Sequence, residues 1–169
     1  MPKINPHPWQ TDTSIGDWYY NRNWKFRPVS WVIHMLADIV SKNGNLLLNI
    51  PLKHDGTIDD AEETVLADLG GWMAIHAEAI HGTRPWLVFG EGRARKGGGH
   101  FNEGGFAQMT ARDIRFTTKG GRLYAIALGW PKDGQVLVKS LAAVAGKVTR
   151  VQLVGHAGGV AWSQKEDGL

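Results

Sequence analysis

The apolar positions in the first 43 residues follow two different periods, which predict a strand and then a helix. Residues 9 to 15 alternate β-forming and polar side chains, as expected for a short strand that ends at a Gly-Asp turn signal. From Ser30 onward, apolar residues recur at helical spacing, at Val32, Leu36, Ile39 and Val40. Ser30 is a suitable N-cap and Asn43-Gly44 a suitable stop, so we expect one amphipathic helix between them.

A second strand and a second helix are predicted in residues 45 to 82. Asn45 to Ile50 is an almost wholly apolar run followed by a proline, which is typical of a parallel strand buried on both faces. The next helical stripe consists of Val65, Leu69, Trp72, Met73 and His76. We expect this helix to begin at a capping box of Thr57 and Asp60 and to end near Gly82. The order strand, helix, strand, helix predicts βαβ units, but two such units are too few to close a barrel.

After residue 86 the amino-acid composition of the chain changes. Residues 88 to 108 are rich in glycine and charge, which favours a linker. Short strand signals separated by turns then follow at residues 114 to 117, 123 to 129, 135 to 141 and 148 to 154. They predict an antiparallel all-β unit, whose last hairpin we expect to be incomplete because the final turn signal has no strand after it. We therefore divide the chain into an α/β part at residues 1–87, a linker at 88–109 and a β part at 110–169.

Composition narrows the possible functions. The hydrophobic content of 43% is that of a globular protein, and a formal charge of +3 with interspersed signs gives no footprint for nucleic acid. No apolar run approaches the ~20 residues needed to cross a bilayer, so we expect no membrane insertion. There is no cysteine, and the seven histidines have no metal-binding spacing. We therefore predict neither a metal nor a cofactor.

Four segments of the chain resemble one enzyme family. They are residues 9–20 (Trp-Gln-Thr-Asp-Thr-Ser-Ile-Gly-Asp-Trp-Tyr-Tyr), 39–50 (Ile-Val-Ser-Lys-Asn-Gly-Asn-Leu-Leu-Leu-Asn-Ile), 55–58 (Asp-Gly-Thr-Ile) and 71–86, which begins Gly-Trp and ends Ala-Ile-His-Gly-Thr-Arg-Pro-Trp. Their order and spacing, across about residues 7–88, resemble the α-L-fucosidases of glycoside hydrolase family 29. The resemblance is looser beyond residue 88.

This resemblance implies an architecture and a reaction. The α/β part would be the last two βα units of a TIM-type (β/α)8 barrel, and the β part a partial antiparallel β-sandwich. The family removes terminal α-L-fucose from glycans with retention, so the expected partner is a fucosylated oligosaccharide or glycoconjugate in a periplasmic, secreted or lysosomal setting. The family's nucleophilic aspartate lies on an earlier strand and nothing here matches it, so we expect the catalytic nucleophile outside this chain and the chain alone to be inactive.

The candidate substrate-binding residues follow from the ends of the two predicted strands. Barrel enzymes build their sites at the carboxyl ends of strands, and aromatic faces suit the apolar side of a deoxysugar. The candidates are Gln10, Trp18, Tyr20 and Asn49. Each also has a structural interpretation, and for Asn49 we favour the structural one. Some family members have glutamate where this chain has Gln10, which cannot transfer a proton. Asp12 is expected to be a buried, hydrogen-bonded strand residue rather than the catalytic acid.

A different class of function also fits the sequence. The β part could act as a carbohydrate-binding or interaction module if its aromatic residues form a platform. Only Tyr124, Trp130 and Trp162 are available there beside Phe116.

Overall fold

The computed structural model describes residues 3–93 and 109–169 and contains two small sheets and two helices. In chain order the elements are β1 (Trp9–Ser14), α1 (Val29–Val40), β2 (Gly44–Asn49), α2 (Asp60–His76), β3 (Arg84–Glu91), β4 (Ile114–Lys119) and β5 (Arg122–Ala127). Short 3₁₀ turns lie at Ala77–Ala79, Lys139–Leu141 and Ala143–Ala145. Strands β1 and β2 form a parallel pair, and β3, β4 and β5 form an antiparallel sheet in that order.

The parallel pair confirms the two predicted strands as neighbours. Their register runs from Trp9 opposite Gly44 to Ser14 opposite Asn49. One face is covered by α1, and the packing is so close at Gly44 that an added Cβ would lie 2.6 Å from the Trp9 ring and 2.7 Å from Ile39. Glycine at the start of β2 is therefore required by the contact between strand and helix.

The other face of the parallel pair is open, which corrects two expectations. Leu47 is 54% exposed and Asn45 is exposed, so β2 is not buried on both faces. Asp12, in register with Leu47, is exposed rather than buried. Among the described residues this sheet consists of β1 and β2 alone, so no further strands curve around to enclose this face.

The helix starts also differ from the sequence prediction. Helix α1 begins at Val29 after Pro28, with no side-chain cap, so Ser30 is not the N-cap. Helix α2 is capped by Asp59, whose carboxylate accepts a hydrogen bond from Ala61 N at 3.1 Å, and Glu62 completes the capping box. The expected box of Thr57 and Asp60 is wrong: the observed box lies two residues later, and the Thr57 hydroxyl instead donates to Asp55 Oδ1 at 2.7 Å. The apolar stripe of α2 is partly buried, as predicted.

The antiparallel sheet contains two predicted strands and one that the sequence analysis missed. Strands β4 and β5 confirm the signals at 114–117 and 123–129. Strand β3 was not predicted, and its residues 88–91 fall in the segment assigned to the linker. The apolar run from Trp86 to Phe89 was the available signal, and the Trp86 ring packs edge-on to Phe116 with centroids 5.1 Å apart. The division into 1–87, 88–109 and 110–169 stays a prediction, and residues 94–108 lie outside the described residues.

The predicted strands at 135–141 and 148–154 are wrong, since the chain there forms 3₁₀ turns and irregular structure. The backbone N–H and C=O groups there form hydrogen bonds with side chains and within turns instead. The Gln164 amide accepts from Val148 N at 3.0 Å and donates to the carbonyls of Leu141 and Gly146 at 3.0 and 2.7 Å. Alternating β-formers become strands only where a neighbouring strand offers matching backbone groups.

A buried charge cluster joins α1 to the antiparallel sheet. The Asp38 carboxylate accepts from Lys42 Nζ at 2.7 Å and from Arg115 Nε at 2.6 Å, and all three side chains are at most 5% exposed. The remaining guanidinium nitrogens of Arg115 donate to backbone carbonyls of Glu91, Arg93 and Ile114. Both cations also lie over the ring of Phe89, at 4.5 and 5.5 Å. We call Asp38, Lys42, Arg115 and Phe89 the charge cluster.

A second buried carboxylate, Asp113, lies just before β4. It accepts hydrogen bonds from Thr110 N at 2.7 Å, from Arg93 N at 2.6 Å and from the Arg93 guanidinium at 3.0 Å. Burial alone would raise the pKa of Asp113, but these hydrogen bonds outweigh it and lower the pKa to about 2. Asp113 is therefore a charged anchor for the segment leading into the sheet.

Candidate functional site

The carboxyl ends of β1 and β2 bring polar groups together. Asn49 Nδ2 donates to Ser14 Oγ at 3.1 Å, and it lies 3.5 Å from the carbonyl oxygen of Trp18. Ser14 Oγ donates to the Asp17 carbonyl at 2.5 Å. The amide of Asn49 thus holds the start of the segment that carries Trp18. Ser14 was missed by the sequence analysis, although a hydroxyl at the last position of a strand was the available signal.

Residues 15–27 form a loop whose two ends meet at this edge. Arg27 N donates to the Ile15 carbonyl at 2.7 Å, which closes the loop at its base. The rings of Trp24 and Phe26 cover Gly16, where an added Cβ would lie 2.8 and 2.9 Å from them. A compact loop with joined ends and its own packed side chains is an Ω-loop. We use that name for residues 15–27.

The Ω-loop presents aromatic rings to solvent and anchors one of them. Trp18, Tyr19 and Trp24 are 45%, 69% and 39% exposed. Tyr20 is half-buried, and its hydroxyl donates to Asp59 Oδ2 at 3.1 Å. Since Asp59 also caps α2, Tyr20 ties the Ω-loop to the start of that helix.

Beneath this contact lies Glu62, an acid that sequence reasoning did not single out. The side chain is fully buried; Oε2 accepts from Asp59 N at 3.3 Å, and Oε1 has no hydrogen-bond partner within residues 3–93 and 109–169. Burial raises the pKa of Glu62, and the neighbouring Asp59 charge adds to that rise. The capping-box spacing was the only sequence signal for it.

The four candidate residues do not form one cluster. Trp18, Tyr20 and Asn49 lie at the carboxyl edge, on the Ω-loop and at the end of β2. Gln10 lies near the amino end of β1, four residues before Ser14, which places it roughly 13 Å from that edge at the usual rise of a strand. Its side chain is exposed and, by the alternation of the strand, shares the open face with Asp12.

The aromatic residues of the β part do not form a set of four exposed rings. Phe116 is fully buried in a cluster with Ile114 and Val138. The Tyr124 hydroxyl donates to Glu78 at 3.2 Å. Trp130 and Trp162 are 82% and 42% exposed, so a platform in this part would depend on these two rings.

Residues 3–93 and 109–169 contain no group of three His, Cys, Asp or Glu side chains that could hold a metal ion. Over the same residues, neither helix has the length and apolar character to traverse a bilayer.

The chain matches two family models in succession. Residues 1–78 match the model described as "Alpha-L-fucosidase", and residues 107–169 match "Alpha-L-fucosidase C-terminal domain". Among curated proteins, it is 31% identical to the tissue α-L-fucosidase of Homo sapiens, covering 95% of this chain and 32% of that protein. It is 30% identical to the human plasma α-L-fucosidase, covering 97% and 33%. The chain thus spans about a third of the length of these relatives.

Solved structures of α-fucosidases are also similar to this chain. The α-fucosidase of Thermotoga maritima, solved in complex with fucose, is 34% identical with a TM-score of 0.63, over 76% of this chain and 27% of that chain. The α-L-fucosidase isoenzyme 1 of Paenibacillus thiaminolyticus has a TM-score of 0.68 over 94% of this chain and 35% of its own, and at 24% identity it supports the fold alone.

Proposed function

Because the chain belongs to the α-L-fucosidase family, we propose that it forms the carboxyl-terminal part of a retaining exo-glycosidase that removes terminal α-L-fucose from glycans. In this proposal β1, α1, β2 and α2 are the last two βα units of a TIM-type barrel. The antiparallel sheet and the residues after it belong to a partial β-sandwich. The open face of the parallel pair would be covered by the preceding strands of the barrel.

One observation carries this proposal: two adjacent parallel strands end at an edge where Ser14, Asn49 and the Ω-loop converge. Barrel enzymes place their sites at the carboxyl ends of the strands. The polar side chains of Gln10 and Asp12 lie on the open face, which is the side that would line a closed barrel.

The residues at this edge would shape the site in different ways. The exposed ring of Trp18 would stack on the apolar side of the deoxysugar, while Asn49 fixes the backbone that carries it. Tyr20, whose hydroxyl already donates to Asp59, would position the Ω-loop. Gln10 lies on the open face roughly 13 Å from this edge, so its amide would line the inside of the barrel below the sugar and would supply no proton.

The reaction needs two carboxyl groups about 5 Å apart, one to attack the sugar and one to protonate the leaving oxygen. The carboxylates nearest the edge serve local structure: Asp17 accepts from Trp18 N at 2.8 Å, and Asp59 caps α2. We therefore propose that the nucleophile is supplied by a strand outside these residues. The chain alone should give no turnover of an aryl α-L-fucoside above a buffer blank, and turnover abolished by one carboxylate change within it would refute this.

A chimera tests the function itself. The segment of the Thermotoga maritima α-fucosidase that this chain matches would be replaced by this chain, and folding would be checked by circular dichroism. We expect the folded chimera to hydrolyse an aryl α-L-fucoside. Trp18→Ala in the chimera should lower kcat/KM about tenfold, as expected for the loss of a stacked ring, whereas Trp130→Ala, at an exposed tryptophan of the β part, should leave it unchanged. A folded chimera without turnover, or equal effects of the two substitutions, would contradict the proposal.

A further inference from the structure

The Ω-loop and the residues after it carry a net positive charge. Arg22, Lys25 and Arg27 are positive, Asp17 near the start of the Ω-loop is its one acidic residue, and no further acidic residue occurs before Asp38. Arg22 and Lys25 are exposed, and neither forms an ion pair with any residue in the described ranges. Arg27 is half-buried, with its guanidinium 5.1 Å from the centroid of the Trp31 ring. The side chains of Arg22 and Lys25 are therefore accessible to a ligand of opposite charge.

Exposed aromatic rings alternate with these cations. Trp18 and Tyr19 precede Arg22, and Trp24 lies between Arg22 and Lys25. Aromatic rings provide flat apolar faces for sugar rings, and guanidinium and ammonium groups bind anionic oxygens. A ligand that satisfies both would combine sugar rings with negative charges.

The loop is held in place before any ligand arrives. Its base is closed between Arg27 N and the Ile15 carbonyl, its interior is filled by rings packed on Gly16, and Tyr20 is bonded to Asp59. A surface fixed in this way loses little conformational entropy on binding. This preorganisation distinguishes the Ω-loop from an ordinary solvated run of charges.

We propose that the Ω-loop binds a sulfated fucosyl glycan, with Arg22 and Lys25 contacting sulfate groups and the exposed rings contacting the sugars. The choice of sulfate rests on the proposed function. Fucose is a neutral deoxysugar with free hydroxyls, so negative charge on the fucose units themselves must come from an ester such as sulfate. The loop borders the carboxyl edge of β1 and β2, so it would select substrates whose charged units lie beside the terminal fucose.

The test measures binding to the chain itself by tryptophan fluorescence. The probes are a short sulfated fucan oligosaccharide, the same oligosaccharide after desulfation, a sulfated galactan of equal length and charge, and a single-stranded oligo(dT). We expect saturable binding of the sulfated fucan that weakens as salt is raised, and at least tenfold weaker binding of the desulfated form. The double variant Arg22→Gln/Lys25→Gln should weaken binding of the sulfated fucan about tenfold, in keeping with the loss of two exposed ion pairs.

The matched control is Lys147→Gln/Arg150→Gln, which removes one lysine and one arginine from exposed positions of the β part. It should leave the affinity for sulfated fucan unchanged. Equal binding of sulfated and desulfated fucan, equal loss in both double variants, or tighter binding of oligo(dT) would overturn the proposal. Binding of the sulfated galactan as tight as that of the fucan would support recognition of sulfated sugar while counting against selection for fucose. Because these readouts do not involve turnover, they are independent of the chimera that tests the proposed function.

Discussion

Polar side chains are buried and paired in the charge cluster, whereas they are exposed on the open face of the parallel pair. In the charge cluster, Asp38, Lys42 and Arg115 are buried, and each oxygen of the Asp38 carboxylate faces a cation. On the open face, the side chains of Gln10 and Asp12 are exposed on a strand pair that is covered on its other side. A buried group without a partner costs free energy, whereas an exposed one remains solvated and available to a ligand or another layer. The junction between α1 and the antiparallel sheet is therefore expected to determine stability, and the β1–β2 face and edge to determine recognition.

The largest expected effect comes from breaking the charge cluster. Asp38→Ala would leave two buried cations without their shared carboxylate, so we expect the free energy of unfolding to fall by about 3–5 kcal/mol. Urea denaturation followed by tryptophan fluorescence measures this. Asp68→Ala, at an exposed position of α2, is the control and should change stability by less than about 0.5 kcal/mol. Similar losses in both variants would mean that the cluster does not stabilise the junction.

The second largest expected effect is the contribution of Asp113 to the free energy of unfolding, which depends on pH. Its pKa is about 2 in the folded chain, below the ordinary 3.8, so its charged form contributes stability above pH 4 that is lost as the pH falls toward 2. At roughly 1.4 kcal/mol per pKa unit, this contribution is about 2–3 kcal/mol. Asp113→Asn should remove it at neutral pH and flatten the loss of stability between pH 4 and pH 2. Asp68→Asn should leave that acid slope intact, and an unchanged slope in Asp113→Asn would contradict the assignment.

A smaller effect is expected at the recognition edge. Tyr20→Phe removes the hydrogen bond to Asp59 and should cost about 1 kcal/mol. Hydrogen exchange should then become faster in residues 15–27 while β4 and β5 keep their protection. Tyr19→Phe is the matched control because Tyr19 is 69% exposed. If both variants exchange alike, Tyr20 does not anchor the Ω-loop.

The smallest effect is expected at Glu62 and has the opposite pH dependence to Asp113. The pKa of Glu62 is raised, so its protonated form contributes stability below its ordinary pKa of 4.5, and this contribution is lost as the pH rises through the folded value. Glu62→Gln keeps an acceptor for Asp59 N without burying a charge, so it should raise the free energy of unfolding at pH 7. Glu63→Gln, at the exposed neighbouring position, should not. Urea denaturation at pH 4 and pH 7 decides it: a loss of stability at pH 7 in Glu62→Gln would show that the charged form is favoured.

The α/β part was easier to predict than the β part because its signals are local. The alternation in β1, the apolar run in β2 and the stripes of α1 and α2 each lie within one element. Strand β3 was missed because a glycine-rich, charged segment follows it directly, and that composition dominated the interpretation. The segments at 135–141 and 148–154 had strand-like sequences, but their backbone groups bond to turns and to the Gln164 side chain, which no local pattern reveals.

At the candidate site, too, local sequence patterns predicted the positions of residues but not their long-range contacts. Trp18, Tyr20 and Asn49 could be placed at one edge because Trp18 and Tyr20 follow the first predicted strand and Asn49 lies at the end of the second. The Tyr20 contact with Asp59 joins residues 39 positions apart, and the Arg115 contact with Asp38 joins residues 77 apart. Pairings over such distances depend on how the elements pack, so neither could be read from a single sequence. Glu62 was overlooked because charged residues in the first turn of a helix are usually solvated.

The contact between Arg115 and Asp38 has a practical consequence for expressing parts of this chain separately. Residues 107–169 match a family model of their own, which invites expression of that segment as an isolated unit. Such a product would contain Arg115 without Asp38, Lys42 or the ring of Phe89, and β4 without its partner β3. A cloning boundary placed before β1 would keep these groups and the β1–β2 pair together, and we expect only such a product to be recovered in folded form.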